Sequence, residues 1–521
     1  MPKQKTDDLI QLICSLTRAE KRHFRLFVKR NQASEEILFL KLFDFLEKKR
    51  EYDEDLILKR LKGVKKRQLS NLKAHLYKQL LISLRLLSAK HAPDIQIRET
   101  VDYARVLYNK GLYRQSLDIL DKAKAKAREG YYQAQAMEIL EFEKHIEGQY
   151  ITRSIEGRAE ALAKETLELT DQIQKVNAFS NLSLQLYGLY LKVGYVRDEK
   201  DAIFVREFFH SQLPRYTFDE LDFLGKVHFC QAHVWFFHMT QDFAYCYRHA
   251  QKWVDLFEQH PGMIEHHTSL YLKGLHNLLN TLFNVLNHEK FLDTLDKLLN
   301  FKDQFDLSKN ANIEGLYYLY KYIHSIKRHF MEGTFTEGTR LIPELVNIIN
   351  EDRYNWDDHR VMVFYYRIAS MFFGSGDFDN AITYLNLIIN QKNPDYRGDI
   401  QAFSRILNLI SHYELGNTQL VEYQVKSVYR FLSKMNDLGD VQKEIFRFVR
   451  RIPRIQESEL REEFMTLRDK LAEMREDPYE QRPFLYLDII SWLESKIEDR
   501  KVEDVIRDKF LDRQQSAGVS R

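Results

Sequence analysis

Histidine and cysteine supply the residues of this 521-residue chain whose type and spacing first suggest chemistry. Ten of the 18 histidines fall between positions 210 and 288, among them His228, His233, His238, His266 and His267, with Cys230 in their midst. A metal site on a helix needs ligands on one face, three or four residues apart. Cys230 and His233 meet that spacing, whereas His228/His233 and His233/His238 are five apart and diverge. No H-E-x-x-H occurs, and Trp235, Phe236 and Phe237 suit histidines packed among aromatic rings, so no metal is expected. The chain also lacks G-x-x-x-x-G-K-[ST], G-x-G-x-x-G and G-x-S-x-G, and Gly374-Ser-Gly376 reads as a turn rather than a phosphate cradle. Carboxylates at Asp357-Asp358 and Asp53-Glu54-Asp55 fall in polar loops or first helical turns, where they complement a helix N-terminus. No catalytic residue is nominated, no cofactor is called for, and a non-enzyme is expected.

The segment LKRLKGVKKRQLSNLKAHLYKQ offers a different chemistry. A short helix, a turn at Gly63 and a long basic helix imitate a helix-turn-helix, with Lys65, Lys66, Arg67, Ser70, Asn71 and Lys73 at the contacting end. Cations there would neutralise phosphates and Asn71 would read a base edge. The same residues also describe a solvated basic face, or one that attracts an acidic protein surface.

Composition limits what must position these groups. Glycine (19) and proline (9) are scarce, at about 5 % together against roughly 12 % in average usage. Apolar residues make up 44 %, charged 30 % and aromatic 13 %. Disorder, collagen-like sequence and a disulfide mini-scaffold are excluded, and β-rich or dinucleotide-binding folds are disfavoured. Net charge is +2, yet residues 1–95 hold 22 basic and 12 acidic side chains, so a basic end precedes an acidic body. Three scattered cysteines, Cys14, Cys230 and Cys246, suit a reducing compartment. No secretion signal and no 18-residue apolar run is present, so no membrane span is expected and the cytoplasm is the expected location.

Almost every segment carries helical periodicity. Thr17-Arg-Ala-Glu20 has the form of a capping box, followed by Phe24, Phe27 and Val28 on one face. Residues 1–92 read as an all-helical basic unit, 93–452 as a repeat body opened by Pro93, 453–513 as a C-terminal helical cap and 514–521 as a flexible tail. In the body, YRIASMFFGSGDFDNAITYLNLII places Tyr365, Ile368, Ala369 and Phe372 on one helix, a turn at Gly376-Asp-Phe378, then Ala381, Leu385 and Ile388 on the next. Small residues where two helices cross permit close approach, and large apolar residues fill the flanks. YARVLYNKGLYRQSLDILDKAKAKA repeats the arrangement around Gly111, with Ala104, Leu107, Tyr113, Ser116, Leu120 and Ala123. Weaker copies centre on Gln241, Glu289, Gly333 and Gly416, giving steps of 40–48 residues along the markers 241, 289, 333, 376 and 416. Turns near Arg153 and Arg197 would fill the gap after Gly111.

These segments resemble the tetratricopeptide-repeat family, with steps longer than its usual 34 residues. The N-terminal opening and FLYLDIISWLESKI ending are similar to a group of bacterial helical-repeat proteins to which no activity attaches. The resemblance implies an all-α, right-handed solenoid of helical hairpins. It also implies a concave face, lined by first helices, that holds a peptide or a partner's helix. Carried onto the two clearest copies, Arg105, Tyr108 and Asn109, and Val363, Tyr366, Arg367 and Ser370, would line that groove. The expectation is a non-catalytic protein- or peptide-binding scaffold. The alternative is a nucleic-acid-binding regulator with basic N-terminal helices and a ligand- or peptide-sensing repeat domain. The partner and the oligomeric state are not encoded in any motif.

Overall fold

The computed structural model describes residues 8–31, 38–49, 53–61, 64–88, 92–150, 156–196, 198–391, 398–433, 440–452, 455–477, 480 and 488–519. Among them there are helices and connecting turns, and no strand. Gly63, Arg153 and Arg197, each assigned to a turn above, lie outside the described residues. The chain divides into two compact units, residues 1–173 and 174–521.

In the first unit, α1 (Asp8–Ser15), α2 (Arg18–Asn31), α3 (Leu38–Lys49) and α4 (Glu54–Arg60) precede the long α5 (Lys66–Ser88). The Thr17 capping box forms: Glu20 accepts from the Thr17 backbone N–H at 2.6 Å, and Thr17 Oγ1 accepts from that of Glu20 at 3.2 Å. Helix α5 packs on α2 and α3, burying Leu69, Leu76 and Leu80 with Phe24, Phe39 and Phe43. Pro93 takes the first turn of α6 (Pro93–Asn109), where its missing N–H costs nothing. Helices α6, α7 (Tyr113–Glu129) and α8 (Gln133–Tyr150) pack in succession around Ile97, Ala104, Leu120, Ala123 and Ile139. At the α6–α7 crossing, Ser116 Oγ donates to the Ala104 carbonyl at 2.8 Å, a contact that only small residues allow. Glu143, on α8, sits fully buried between Lys124 (2.6 Å) and Arg158 (3.5 Å). The boundary between the units falls within α9 (Arg158–Val193).

The second unit begins with α10 (Glu199–Gln212) and then repeats one local device. α11 (Phe223–Met239) and α12 (Phe243–Gln259) are joined at Gln241, whose φ is +59°. After α13 (Gly262–His266), α14 (Thr268–Asn284) meets α15 (His288–Leu299) through Leu286, with φ +56°. After α16 (Phe301–Gln304), α17 (Ala311–Glu332) ends on Gly333, with φ +63°, before the short α18 (Phe335–Gly338) and α19 (Ile342–Asn350). α20 (Asp358–Ser375) ends on Gly376, with φ +84°, before α21 (Phe378–Ile389). α22 (Gly398–Glu414) ends near Gly416, with φ +72°, before α23 (Thr418–Leu432). In each case a left-handed residue closes one helix and the next residue starts another. Asp242, Asn287 and Asp377 do so as N-caps, accepting from backbone N–H groups three residues on at 3.2–3.3 Å. The turn assigned by sequence to Glu289-Lys-Phe291 lies three residues earlier, at Leu286-Asn287, because Leu286 occupies the left-handed position that glycine marks elsewhere.

Neighbouring helices of this unit pack pairwise: α11 on α12, α12 on α14, α14 on α15 and α17, α20 on α21, α21 on α22 and α22 on α23. The fourth residue of the second helix is small where the crossing is tightest. Cys246 on α12 and Ala381 on α21 hold the place that Ser116 holds on α7, and Cys246 Sγ lies 3.6 Å from the Val234 carbonyl oxygen. Cys246 is a buried small apolar residue in this position. α24 (Asp440–Arg451), α25 (Glu457–Arg475) and α26 (Ile489–Glu498) extend the core of α20–α23, with Phe464, Leu471, Trp492 and Leu493 buried. The last helix, α27 (Val502–Val519), runs through positions expected to form a flexible tail. It packs back on α17 and α20, where Glu503 accepts from the Thr336 N–H at 2.8 Å and the Phe510 ring meets His288 at 4.7 Å.

Candidate functional site

Three helices of the second unit each present a stripe spaced by three and four residues. The stripes are Lys273, His276 and Asn280 on α14, Tyr320, His324 and Lys327 on α17, and Arg360, Val363 and Arg367 on α20. Residues so spaced share one helical face. The faces meet because α17 packs against both α14 and α20. Lys273 and Arg360 are exposed, His276, Asn280, Lys327, Val363 and Arg367 half-buried, and Tyr320 and His324 buried.

A directed chain of hydrogen bonds runs through the stripes. Lys327 Nζ donates to Asn280 Oδ1 at 2.8 Å, so the Asn280 amide group turns its Nδ2–H to His276 Nε2, 3.0 Å away. His276 then carries its proton on Nδ1 and donates to His324 Nε2 at 2.9 Å. His324 is left with its proton on Nδ1, a fully buried N–H without a hydrogen-bond partner. The His276 ring stacks on Tyr320 at 4.0 Å, and Lys327 Nζ lies 4.4 Å from the centre of the Phe283 ring. On α11, His238 accepts from or donates to Tyr195 Oη at 3.0 Å and packs beside Tyr190.

The charge environment is one-sided. Burial, reinforced by Arg367, holds Lys327 well below the ordinary lysine range. Burial also holds His276 and His324 well below the usual histidine value, reinforced by Lys327 and Arg367 in both and by His238 and Arg360 at His276. His238 is pushed down to about 4 by burial and by Lys327. Lys273 is lowered by burial and by Arg360. Among the described residues, no carboxylate contributes to any of these shifts. Arg360 pairs with Asp357 at 3.3 Å. Uncompensated cations gathered in a partly desolvated place destabilise the fold.

The residues nominated by sequence fall in several places. Val363, Arg367 and Ser370 lie half-buried along α20, with Ser370 Oγ donating to the Tyr366 carbonyl at 2.9 Å. Tyr366 is only 4 % exposed and belongs to the core. Met362, Tyr366, Ala369 and Phe373 form the apolar row of α20, so Tyr366 is not available to a partner. In the first unit, Arg105 and Asn109 are exposed and Tyr108 is half-buried, and the Arg105 and Tyr108 side chains reach α8. The Arg105 guanidinium lies 4.5 Å from the Phe142 ring centre, and Tyr108 Oη bonds His145 Nε2 at 3.1 Å and Gln149. Lys65, Lys66, Arg67, Ser70 and Asn71 are exposed around the start of α5, with Lys73 half-buried, and Lys66 pairs with Glu54 at 3.1 Å.

The histidines that first suggested a metal point elsewhere. His233 Nδ1 donates to the Phe229 carbonyl at 2.8 Å and its ring stacks on His249 at 4.5 Å. His228 bonds Gln231 at 3.1 Å, and burial pushes the Cys230 thiol up to about 12. Asp357 and Asp53 cap helices, accepting from the backbone N–H of Arg360 at 2.8 Å and Leu56 at 3.0 Å. Sequence reasoning missed Lys273, His276, Asn280, Lys327 and Arg360 because it anchored the groove on the two clearest repeat copies. The signal was present in the recurrence of polar residues at i and i+7 in three successive first helices. No described helix is long and apolar enough to cross a membrane. No protein-family model, no curated protein and no solved structure matches this chain.

Proposed function

We propose that the chain is a non-catalytic interaction scaffold. In this reading its helical hairpins stack as a right-handed, tetratricopeptide-like solenoid, and a protein or peptide partner docks against the first helices. The observation that carries it is the stripe of cations and aromatic rings that Lys273, His276, Tyr320, Lys327, Arg360 and Arg367 make across α14, α17 and α20. Arginine and aromatic side chains dominate interface energy, and rows on packed helices give a preformed surface at little ordering cost. The left-handed turns recurring at 40–47 residues, three of them followed by an Asx cap, support the repeat reading. The cytoplasm is the proposed site of action, supported by the three cysteines being free thiols. Affinity capture from the protein's own cells tests the proposal. A partner held by the wild type and lost from Arg367→Glu/Lys273→Glu, at unchanged helicity, supports it, and equal capture by both refutes it.

A second reading draws on the exposed Lys65, Arg67, Ser70 and Asn71 at the start of α5, where the helix dipole adds to their attraction for phosphate. It makes the first unit a nucleic-acid-binding element of a regulator. Titration of duplex DNA and of RNA at two salt concentrations tests it. Steeply salt-dependent binding lost in Lys65→Glu/Lys66→Glu/Arg67→Glu supports it, and no binding at low salt removes it.

A further inference from the structure

We infer that the outer face of α12, together with Phe218, Lys226 and Lys290, binds single-stranded nucleic acid. The inference goes beyond the scaffold reading and uses neither the stripe across α14, α17 and α20 nor the start of α5. Tyr245, Arg248 and Lys252 recur on α12 at i, i+3 and i+7 and so share one face. Tyr245 is 48 % exposed, and Arg248 and Lys252 are exposed with it. A groove of about 400 Å³ lies here, lined by Tyr245, Tyr247, Arg248, His249, Gln251 and Lys252.

Rings and cations are paired across this face. The Phe218 ring centre lies 5.3 Å from Lys226 Nζ of α11 and 5.4 Å from Lys252 Nζ. Arg248 Cζ lies 5.0 Å from the Tyr245 ring centre. Lys290, at the start of α15, donates from Nζ to Tyr247 Oη at 2.8 Å and sits 5.2 Å from the centre of that ring. Four such pairs thus fall among the described residues between positions 218 and 290, where about one per 70–80 residues is ordinary. A ring face holds a cation weakly at an exposed site, so the cation can exchange it for a phosphate while the ring takes a base. The acids of α12 are engaged elsewhere: Asp255 accepts from Gln251 at 2.7 Å, and Glu258 pairs with Lys297 at 2.6 Å.

The Tyr245 platform is set in advance. Its ring stacks on Phe237 at 5.2 Å and 20°, Phe237 on His249 at 5.6 Å and 16°, and His249 on His233 at 4.5 Å and 18°. A ring backed in this way loses little freedom when a base stacks on it. Rings and cations together select the ligand. An acidic peptide answers the cations and leaves the rings unused. A duplex keeps its bases stacked inside, where these rings cannot reach them. A single strand offers phosphates and open base faces together.

The test uses the full chain, as wild type and with Lys65→Glu/Lys66→Glu/Arg67→Glu to remove the other basic candidate. Fluorescence anisotropy follows labelled strands of about 12 nucleotides. The probes are single-stranded RNA, single-stranded DNA of the same sequence, the DNA duplex, and an abasic DNA strand of equal charge. Expected is binding of a single strand in both backgrounds, with the duplex and the abasic strand at least tenfold weaker. With four cations engaged, affinity should fall roughly 50-fold between 50 and 200 mM salt. Tyr245→Ala should weaken the base-bearing strand at least fivefold and leave the abasic strand unchanged, whereas Tyr245→Trp keeps a platform and retains binding. Arg248→Gln and Lys252→Gln should weaken both strands, each lowering the slope of log affinity against log salt by about 0.7. These side chains are exposed, and unchanged circular dichroism shows that the variants are folded. The tighter of RNA and DNA identifies the source of the strand. Equal binding of the abasic strand or the duplex overturns the inference, as does absence of binding at low salt, or binding unchanged in Tyr245→Ala and Lys252→Gln. Binding lost with the three first-unit substitutions assigns the strand to α5 and overturns it too, leaving the scaffold reading standing.

Discussion

Gly333 and Gly376 close equivalent helices in the same left-handed conformation, and they differ in what surrounds them. Gly333, at φ +63°, would place an added Cβ 2.5 Å from Arg507 N and 2.8 Å from Arg507 Cα, both backbone atoms of α27. Gly376, at φ +84°, would meet nothing within 4 Å. The left-handed conformation costs an alanine roughly 1–2 kcal/mol at either site, partly offset by the less flexible unfolded chain. Gly376→Ala should therefore lose about 1 kcal/mol. Gly333→Ala adds a collision that no rotamer change relieves, since both sides are backbone. Overpacking of this kind costs about 1–3 kcal/mol. If α27 lifts instead, it surrenders the Glu503 bond to Thr336 at 2.8 Å and the Phe510–His288 contact at 4.7 Å, each worth about 1 kcal/mol. Either route puts Gly333→Ala about 2–3 kcal/mol below Gly376→Ala. Urea unfolding followed by circular dichroism measures the difference. Limited trypsin digestion adds a local readout, because a lifted α27 loses its packing on α17 and its backbone after Arg507, Lys509 and Arg513 becomes easier to cleave. Equal unfolding midpoints with identical digestion patterns would refute the close approach of α27 to α17.

Other perturbations probe separate parts of the fold. Gly374→Ala would bring Cβ to 2.3 Å from Phe335 Cδ1, so it should cost about 1–3 kcal/mol in urea unfolding. Burial raises the Glu143 carboxyl to about 7, against the opposing pull of Lys124. Folded Glu143 thus retains a proton that the unfolded chain releases between about pH 4.5 and 7, and the stability this gives below that window, up to about 3 kcal/mol, is lost as pH rises through it. Glu143→Gln should flatten this slope, matching wild type near pH 4.5 and exceeding it at pH 8; a steeper slope in the variant would contradict the assignment. Trp492 is fully buried, and its Nε1–H donates to Glu414 Oε1 at 2.6 Å, so Trp492→Ala should cost about 3–5 kcal/mol and shift the thermal midpoint downward.

The elements legible in the sequence were those fixed by local physics. The Thr17–Glu20 box, Pro93 at a helix start and the Gly376 turn each bind groups within a few residues, so their signatures survive without knowledge of the rest of the chain. Leu286 defeated the same logic. A leucine with positive φ carries no compositional mark, and only packing of α15 on α14 and α17 holds it there. The return of α27 to α17 was illegible for a related reason. Thr336 and Glu503 are 167 positions apart, and neither is unusual for an exposed helix end.

The candidate site divides along the same line, and the division bears on how such surfaces are found. Tyr366 and Arg367 are adjacent in sequence, yet one fills the core row of α20 and the other joins the cationic stripe. A nomination by motif position could not separate them, because a step of one residue along a helix turns the side chain by about 100°. Polar recurrence across helices separates them better. Lys273, Lys327 and Arg367 lie in different helices, and only their shared face gives the charge a single place. A fold that merely needed three surface cations could disperse them, at lower electrostatic cost, over faces already exposed to water. Their concentration beside His276 and His324, where burial disfavours every charged form, carries an electrostatic cost that dispersal over exposed faces would avoid.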